Sequence, residues 1–340
     1  MSTIDPSKIM QIGMGFWASK TLLTAVNMNL FTHLATGEKS GQQIQQLLGL
    51  HKRSLFDFLD TLVALGFLQR KGIKENAMYS NSQDVDLFLD KNKLTYIGGI
   101  LEMSNNRLYP FWNNLEEALK TGKPQNESKS GEAPLFEAIY SDENRLKEFL
   151  HAMGGVQAGN FDFFARNFDF SGFKSHCDIG GSGGNLCVHI AKNDQHIKSI
   201  SFDLPQVAPI AESNFKALGL DHRIKAVSGD FFKDDLPKAE LITMSNVLHD
   251  WGHEDKKMLI QKAYDALPDH GAFVVIENVI DNERNKNAFG LMMSLNMLIE
   301  TDQGFDYSLA DFEEWAGEAG FKKISVMPLT GPASALIARK

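Results

Sequence analysis

The 340-residue chain reads as an α/β protein: a seven-stranded, mostly parallel sheet preceded by a smaller, mostly helical domain. Three observations carry this reading. From Ser175 onward, short apolar runs alternate with helical segments, and repeated βα units call for a parallel sheet with helices on both faces. The first of these strands runs into four glycines in five positions, Gly180-Gly181-Ser182-Gly183-Gly184. The first hundred residues instead space their apolar side chains as helices do. The length exceeds the usual single-domain size, so two domains are expected, 1–105 and 106–340.

In the N-terminal part, Phe16, Leu22, Leu23, Val26, Leu30, Phe31 and Leu34 recur at helical spacing. Ile44, Leu47 and Leu48 mark a short helix, and Ser54 to Leu65 a longer one that Gly66 stops. Phe67 to Arg70 and Ala77 to Tyr79 suggest a hairpin around Gly72. Three helices and a hairpin form a winged-helix pattern, which often binds DNA. Only Lys52 and Arg53 open the helix that would read the bases, however, and Asp57 and Asp60 follow. The net charge of −9 also opposes nucleic acid, whose phosphates demand a basic face. Residues 85–170 read as helical, with a polar interruption from Thr121 to Ala133.

Strands are expected at 175–179, 197–203, 224–228, 239–245, 271–277, 322–328 and 333–339. Helices fall between them, notably Asn185 to Lys192, Glu254 to Leu267 and Ser308 to Ala319. Only Pro328 to Pro332 joins the last two strands, too short for a crossover, so these two pair antiparallel. Two cysteines, Cys177 and Cys187, are too few for a disulfide scaffold or a metal cluster. They point to a reduced, cytoplasmic protein. No apolar run approaches the ~20 residues that span a bilayer. The N-terminus lacks a basic region followed by an apolar one, so neither a secretory signal nor a membrane partner is expected.

The glycine loop lies where a strand must turn sharply into a helix. Glycines accept φ > 0 and present no Cβ to hold a ligand away, and the helix start offers unpaired N–H groups. No Gly-Lys-Ser/Thr follows, and counting from Gly181 the third glycine of Gly-x-Gly-x-x-Gly would fall at Leu186, so neither phosphate fingerprint fits. The second strand ends in Asp203, placed to accept both hydroxyls of a ribose. The third ends in Gly229-Asp230-Phe231-Phe232, where an Asp accepts from an adenine amino group and a Phe covers the ring. Each feature alone has a plainer reading: a ligand-free turn, a helix cap, a turn residue. Together they sit at strand carboxyl ends, where open α/β sheets bind ligands. The fourth strand leads into His249-Asp250-Trp251 at the same edge, and histidine is suited to taking a proton near neutral pH. The fifth ends in Glu277, a carboxylate that could orient the ring across the crevice.

The glycine loop, Phe202-Asp203-Leu204-Pro205, Gly229-Asp230-Phe231-Phe232, His249-Asp250-Trp251 and Glu277 appear in order. In this the chain resembles the S-adenosylmethionine-dependent O-methyltransferases of the caffeate, acetylserotonin and bacterial natural-product tailoring type. The resemblance covers nearly the whole chain. It implies a Rossmann-like methyltransferase sheet and a winged-helix-like dimerisation domain. It implies a homodimer in which one N-terminal helix helps wall the partner's acceptor pocket. The implied cofactor is S-adenosyl-L-methionine, held by Asp178, Gly180, Gly181, Ser182, Asp203, Leu204, Gly229, Asp230, Phe231 and Asn246. His249 is the implied general base, with Asp250 beside it and Glu277 steadying the imidazole. The family's second flanking Glu falls, by the Ala319-Gly320-Phe321 register, on Asp306, a shorter carboxylate. Ser182 replaces a usual Gly, Asn246 stands where bacterial relatives often carry Arg, and Ser245 where plant relatives carry Lys.

Such chemistry needs neither a metal nor a covalent nucleophile, only in-line alignment and removal of a proton. A phenol, with a pKa of about 10, suits a histidine base; an aliphatic alcohol is far harder. A small aromatic acceptor with a phenolic or enolic hydroxyl is therefore expected, in an apolar and partly aromatic pocket. Candidate lining residues are Phe16, Trp17, Phe111, Trp112, Phe161, Phe164, Met292, Met293, Asn296 and Met297. The methionine stripe reads equally well as core. Rival readings are a carbon or nitrogen methyltransferase, a diverged non-methylating relative, a cofactor-sensing winged-helix regulator, and a nicotinamide oxidoreductase. The His249–Glu277 pair favours oxygen, the acidic charge opposes a regulator, and the loop spacing opposes a nicotinamide enzyme.

Overall fold

The computed structural model describes residues 4–93, 95–131 and 139–340. The chain divides into two compact units, the first ending at Pro110 and the second spanning Phe111–Lys340. Leu94 and residues 132–138, within the stretch expected to be helical, lie outside the described residues, as do Glu132 and Ala133 of the polar interruption.

The first unit comprises α1 (Ser7–Gly13), α2 (Gly15–Asn27), α3 (Leu30–Ala35), β1 (Lys39–Ser40), α4 (Gly41–Leu48), α5 (Leu55–Ala64), β2 (Leu68–Lys71), β3 (Met78–Asn81), α6 (Gln83–Phe88) and α7 (Gly98–Met103). Its three strands pair antiparallel in the order β1-β3-β2. The α4 helix starts at a reciprocal Ser40–Gln43 capping box and stops at the left-handed Gly49. Leu30, Phe31, Ile44, Leu55, Leu59, Leu62 and Leu68 form its core, as the helical spacing requires, whereas Leu65 faces solvent. Tyr79, wholly buried, donates its hydroxyl to Asp60 at 2.8 Å. Along α1 and the start of α2, Ile9, Met10, Ile12, Phe16 and Trp17 are exposed, and α1 buries none of its residues within this unit.

The second unit opens with α8 (Leu115–Thr121) and the long α9 (Glu143–Asn167). Strands and helices then alternate: β4 (Ser175–Ile179), α10 (Asn185–Asn193), β5 (Lys198–Asp203), α11 (Ala208–Ala217), β6 (Ile224–Ser228), β7 (Leu241–Ser245), α12 (His253–Ala266), β8 (Ala272–Glu277), α13 (Ala288–Glu300), α14 (Leu309–Ala319), β9 (Lys323–Pro328) and β10 (Ser334–Arg339). The seven strands lie in the order β6-β5-β4-β7-β8-β10-β9. The first five are parallel, and β10 runs antiparallel between β8 and β9, as the short final junction demands. On one face Cys177, Ile242, Met244, Phe273 and Val275 pack under α12 and α14. On the other, Leu241, Val274, Ile276 and Ile337 pack under α9 and α10. No described helix is long and apolar enough to cross a membrane.

Candidate active site

At the sheet centre β4 and β7 are neighbours, yet the chain leaves them in opposite directions across the sheet, and their carboxyl ends open a crevice. From β4 the chain turns through the glycine loop, where Gly180 (φ 66°) and Gly184 (φ 79°) are left-handed. A Cβ on Gly180 would lie 2.7 Å from Val247, and one on Gly181 2.3 Å from the Ser201 hydroxyl. Ser182 takes the same left-handed backbone (φ 55°) without being glycine. Asp203, at the end of β5, accepts the Ser182 N–H at 2.8 Å and the Leu204 N–H at 2.7 Å, tying the loop to the neighbouring strand end. Burial lifts Asp203 to about 6, against the pull of these two bonds. Burial likewise lifts Asp178 to about 7, opposed by a 2.6 Å hydrogen bond from Thr243.

At the end of β6, a Cβ on Gly229 would collide with the Phe202 ring at 2.4 Å. Asp230 accepts the Phe232 N–H at 2.9 Å and pairs with Lys233, which holds its carboxyl below the usual range. Phe231 meets Phe232 and Trp251 edge-on, with centroids 4.8 and 5.8 Å away. Asn246, also left-handed (φ 50°), closes β7. Its Oδ1 and the hydroxyls of Ser182, Ser201 and Ser245 are buried without a hydrogen-bond partner among the described residues.

His249 sits in a single 3-10 turn, Leu248–Asp250, beyond β7, and is 6% exposed. Its Nδ1 lies 3.3 Å from Asp306 Oδ1, and its Nε2 3.6 Å from Asp250 Oδ1. With Asp306 as acceptor, Nδ1 carries the proton. Glu277 does not hold the ring, contrary to expectation. Its Oε1 accepts the main-chain N–H groups of Val247 and His249, each at 3.2 Å, because the carboxylate closes β8 beneath the turn rather than beside the ring. Asp306 is brought in by the loop after α13, where a Cβ on Gly304 would lie 2.7 Å from the His249 carbonyl and 2.8 Å from that of Asp250. The Asp306 N–H donates to Ser294 at 3.1 Å. Burial opposes charge on His249, but Asp250, Asp306 and Glu277 outweigh it and raise the imidazole to about 10. Burial lifts Asp250 to about 7, and Glu277 is raised for the same reason.

Residues 112–322 match the model of the O-methyltransferase domain, and residues 10–91 that of the O-methyltransferase dimerisation domain. The chain belongs to the O-methyltransferase family. It is 36% identical over 335 residues to the tetracenomycin polyketide synthesis 8-O-methyl transferase TcmO of Streptomyces glaucescens, covering 98% of this chain and 97% of that one. It is 31% identical to the acetylserotonin O-methyltransferase of Bos taurus, covering 96% and 95%. The crystal structure of human N-acetylserotonin methyltransferase in complex with S-adenosylmethionine superposes with a TM-score of 0.92 at 27% identity, over 100% of this chain and 99% of that one. The protein is thus an S-adenosylmethionine-dependent O-methyltransferase with a Rossmann-like sheet and an N-terminal dimerisation domain.

The crevice of this methyltransferase fits a cationic ligand rich in donors. Among the described residues, Asp178, Asp203, Asp250, Glu277 and Asp306 stand at or near the ends of these strands with the cations His249 and Lys256, and the unpartnered oxygens can all accept. Tyr140, which the strand-end argument passes over because it lies on a helix, stands within electrostatic reach of Asp203 and Asp250; burial and these two charges raise its hydroxyl. A second feature missed from sequence is a polar row inside the sheet. His176 lies 3.1 Å from Ser199 Oγ and 2.9 Å from Thr243 Oγ1, and Thr243 passes its proton donor on to Asp178. Burial drives His176 down to about 3, so this histidine stays neutral. Polar residues at alternate positions of apolar strands were its only signal.

Among the acceptor candidates, Trp112 and Asn296 meet: the indole N–H donates to Asn296 Oδ1 at 2.8 Å. Phe111 and Met293 are half-buried, Met297 is buried, and Met292 faces solvent. Phe161 and Phe164 are corrected to core. Their side of α9 is pressed on the sheet with Leu186, Ile190 and Val274, and Phe164 stacks on Phe168 at 4.8 Å. Phe16 and Trp17 belong to the first unit, where with Lys20, Thr24, Phe58 and Tyr109 they line a recess of about 360 Å³.

Proposed function

We propose that the enzyme methylates a phenolic or enolic hydroxyl of a small aromatic molecule as a homodimer, with His249 as general base. The observation that carries this is the His249 ring itself. One nitrogen is engaged by Asp306, the other lies 3.6 Å from Asp250, and the ring follows β7 at the carboxyl edge of the sheet that also carries Asp203. The names of the relatives, a polyketide 8-O-methyl transferase and an acetylserotonin O-methyltransferase, support an aromatic acceptor. The exposed apolar run Ile9 to Trp17 and the dimerisation-domain match support a homodimer.

S-adenosylmethionine supplies a methyl activated on a sulfonium. The chain does the rest. Asp203 and Leu204, with Asp178 beneath the glycine loop, bind the ribose end, while Asp230 and Phe231 bind the base. Gly180, Gly181 and Ser182 admit the methionine end at the loop, and Ser245 and Asn246 close that side. Trp112, Met293, Asn296 and Met297, with Phe111, border the acceptor. The carboxylates that make His249 strongly basic match it to an acceptor of pKa about 10. In the neutral imidazole Asp306 keeps the single proton on Nδ1, which leaves Nε2 to take the acceptor's proton.

Calorimetry with S-adenosylmethionine and turnover on a panel of phenols test this in wild type and in His249→Ala. The expected result is retained cofactor binding with transfer lowered by ~10²–10⁴-fold in the variant. A variant that transfers at the wild-type rate removes His249 from the chemistry.

A further inference from the structure

Lys256 is the second cation of the His249 cluster. It lies one turn into α12, on a helix otherwise rich in exposed charge, yet it is 0% exposed. A buried ammonium is costly unless charges and dipoles replace its water. Here they come from every side. Its Nζ donates to the carbonyl of Trp251, the residue that ends the His249 turn. It lies 3.6 Å from the centroid of Phe305 and 5.7 Å from that of Tyr307, the two neighbours of Asp306. The charges facing it are Glu277 from β8, Asp306 from its loop, Asp250 from the turn and Asp255 from its own helix. The second oxygen of Asp306 has no hydrogen-bond partner among the described residues, and Glu277 interacts with the Tyr307 hydroxyl. The ammonium of Lys256 supplies charge that compensates both carboxylates.

We propose that Lys256 is a positioning residue of the transfer reaction: it clamps the His249 turn to the Asp306 loop and serves as internal counter-ion to the Asp250–Glu277–Asp306 set. This rests on the reading of His249 as base. Burial pulls the lysine down to about 8, while the three carboxylates pull it up, so the ammonium persists at neutral pH. Without it, Asp250, Glu277 and the imidazole would all hold their protons more tightly. Protonation of Glu277 would loosen the turn that carries the ring, and protonation of His249 would disable it. Either way the enzyme would need a higher pH to work.

The test follows the His249 ring by NMR in full-length, cofactor-free enzyme with ¹⁵N-labelled histidine, assigned with His249→Asn. The pH profile of kcat/KM is measured alongside. In Lys256→Met the ring midpoint and the acid limb are both expected to rise by about 1–2 pH units. Lys256→Arg, which keeps the charge, stays close to wild type. A folded Met variant with an unmoved ring midpoint overturns the counter-ion role. A ring midpoint that moves while the kinetic limb does not overturns the base assignment, and with it the part of Lys256 in the reaction. Should neither variant fold, ¹⁵N NMR of the wild-type lysine decides: an ammonium at pH 7 supports the proposal, and a neutral amine refutes it.

Discussion

Asp306 and Glu277 both flank His249, but at different atoms: one holds the ring, the other the main chain that carries it. Their variants should therefore differ. Asp306→Asn removes a charge that raises the imidazole, so the acid limb of kcat/KM is expected to fall toward the ordinary histidine range, with kcat lower by roughly 10²-fold. Identical limbs in wild type and variant would take Asp306 out of the ring's electrostatics. At Ser182 the left-handed backbone and the unpartnered buried hydroxyl both cost stability in the cofactor-free protein. Ser182→Gly is expected to raise the Tm by relieving about 1–2 kcal/mol of strain, which thermal unfolding measures. Residues of this kind mark how far the sequence is legible. The strand-end placement of Asp203, Asp230 and His249 was legible in the sequence. The place of Lys256 and Tyr140 was not, because a lysine or a tyrosine in a helical stretch looks the same whether it faces water or a crevice.

Elements of the sheet were readable because inner parallel strands are covered on both faces and so appear as continuous apolar runs, such as Leu241 to Met244 and Ala272 to Ile276. The final hairpin followed from loop length alone. Phe161 and Phe164 misled because helical spacing shows that two aromatics share a side, not which surface that side meets. The loop carrying Asp306 was likewise invisible in its path, since it is Gly304 that lets it fold onto the His249 turn. This makes a prediction at the level of the element. A Cβ at residue 304 would meet two main-chain carbonyls at 2.7 and 2.8 Å, closer than any real Cβ contact, so the loop must move and carry Asp306 away from the ring. Gly304→Ala is expected to lower kcat while calorimetric affinity for S-adenosylmethionine stays near wild type. Loss of cofactor affinity in parallel with kcat would show that the loop supports the cofactor crevice instead.

Over the whole molecule, the crevice concentrates more carboxylate than its two cations balance, and this ties stability to pH. Asp178 and Asp250 are raised to about 7, Asp203 to about 6 and His249 to about 10 in the cofactor-free fold. Each binds its proton more tightly folded than unfolded, so each contributes stability that is lost as pH climbs toward the folded value. For the aspartates the loss runs from about 4 to 7, and for His249 from about 6.5 to 10. Lys256 acts in the opposite direction above about 8, and His176 does so between about 3 and 6.5, touching only the acid edge of the range from pH 6 to 8. The lowered carboxylates, such as Asp281 at about 2, titrate below this range. Between pH 6 and 8 the Tm of the cofactor-free enzyme is therefore expected to fall. S-adenosylmethionine brings positive charge to the ionised carboxylates, so its affinity should rise over the same interval, and the Tm it restores should be larger at pH 8 than at pH 6. Thermal unfolding with and without cofactor at the two pH values measures both. A cofactor-induced shift that is equal at pH 6 and 8 would mean that the buried carboxylates do not contribute to holding the cation.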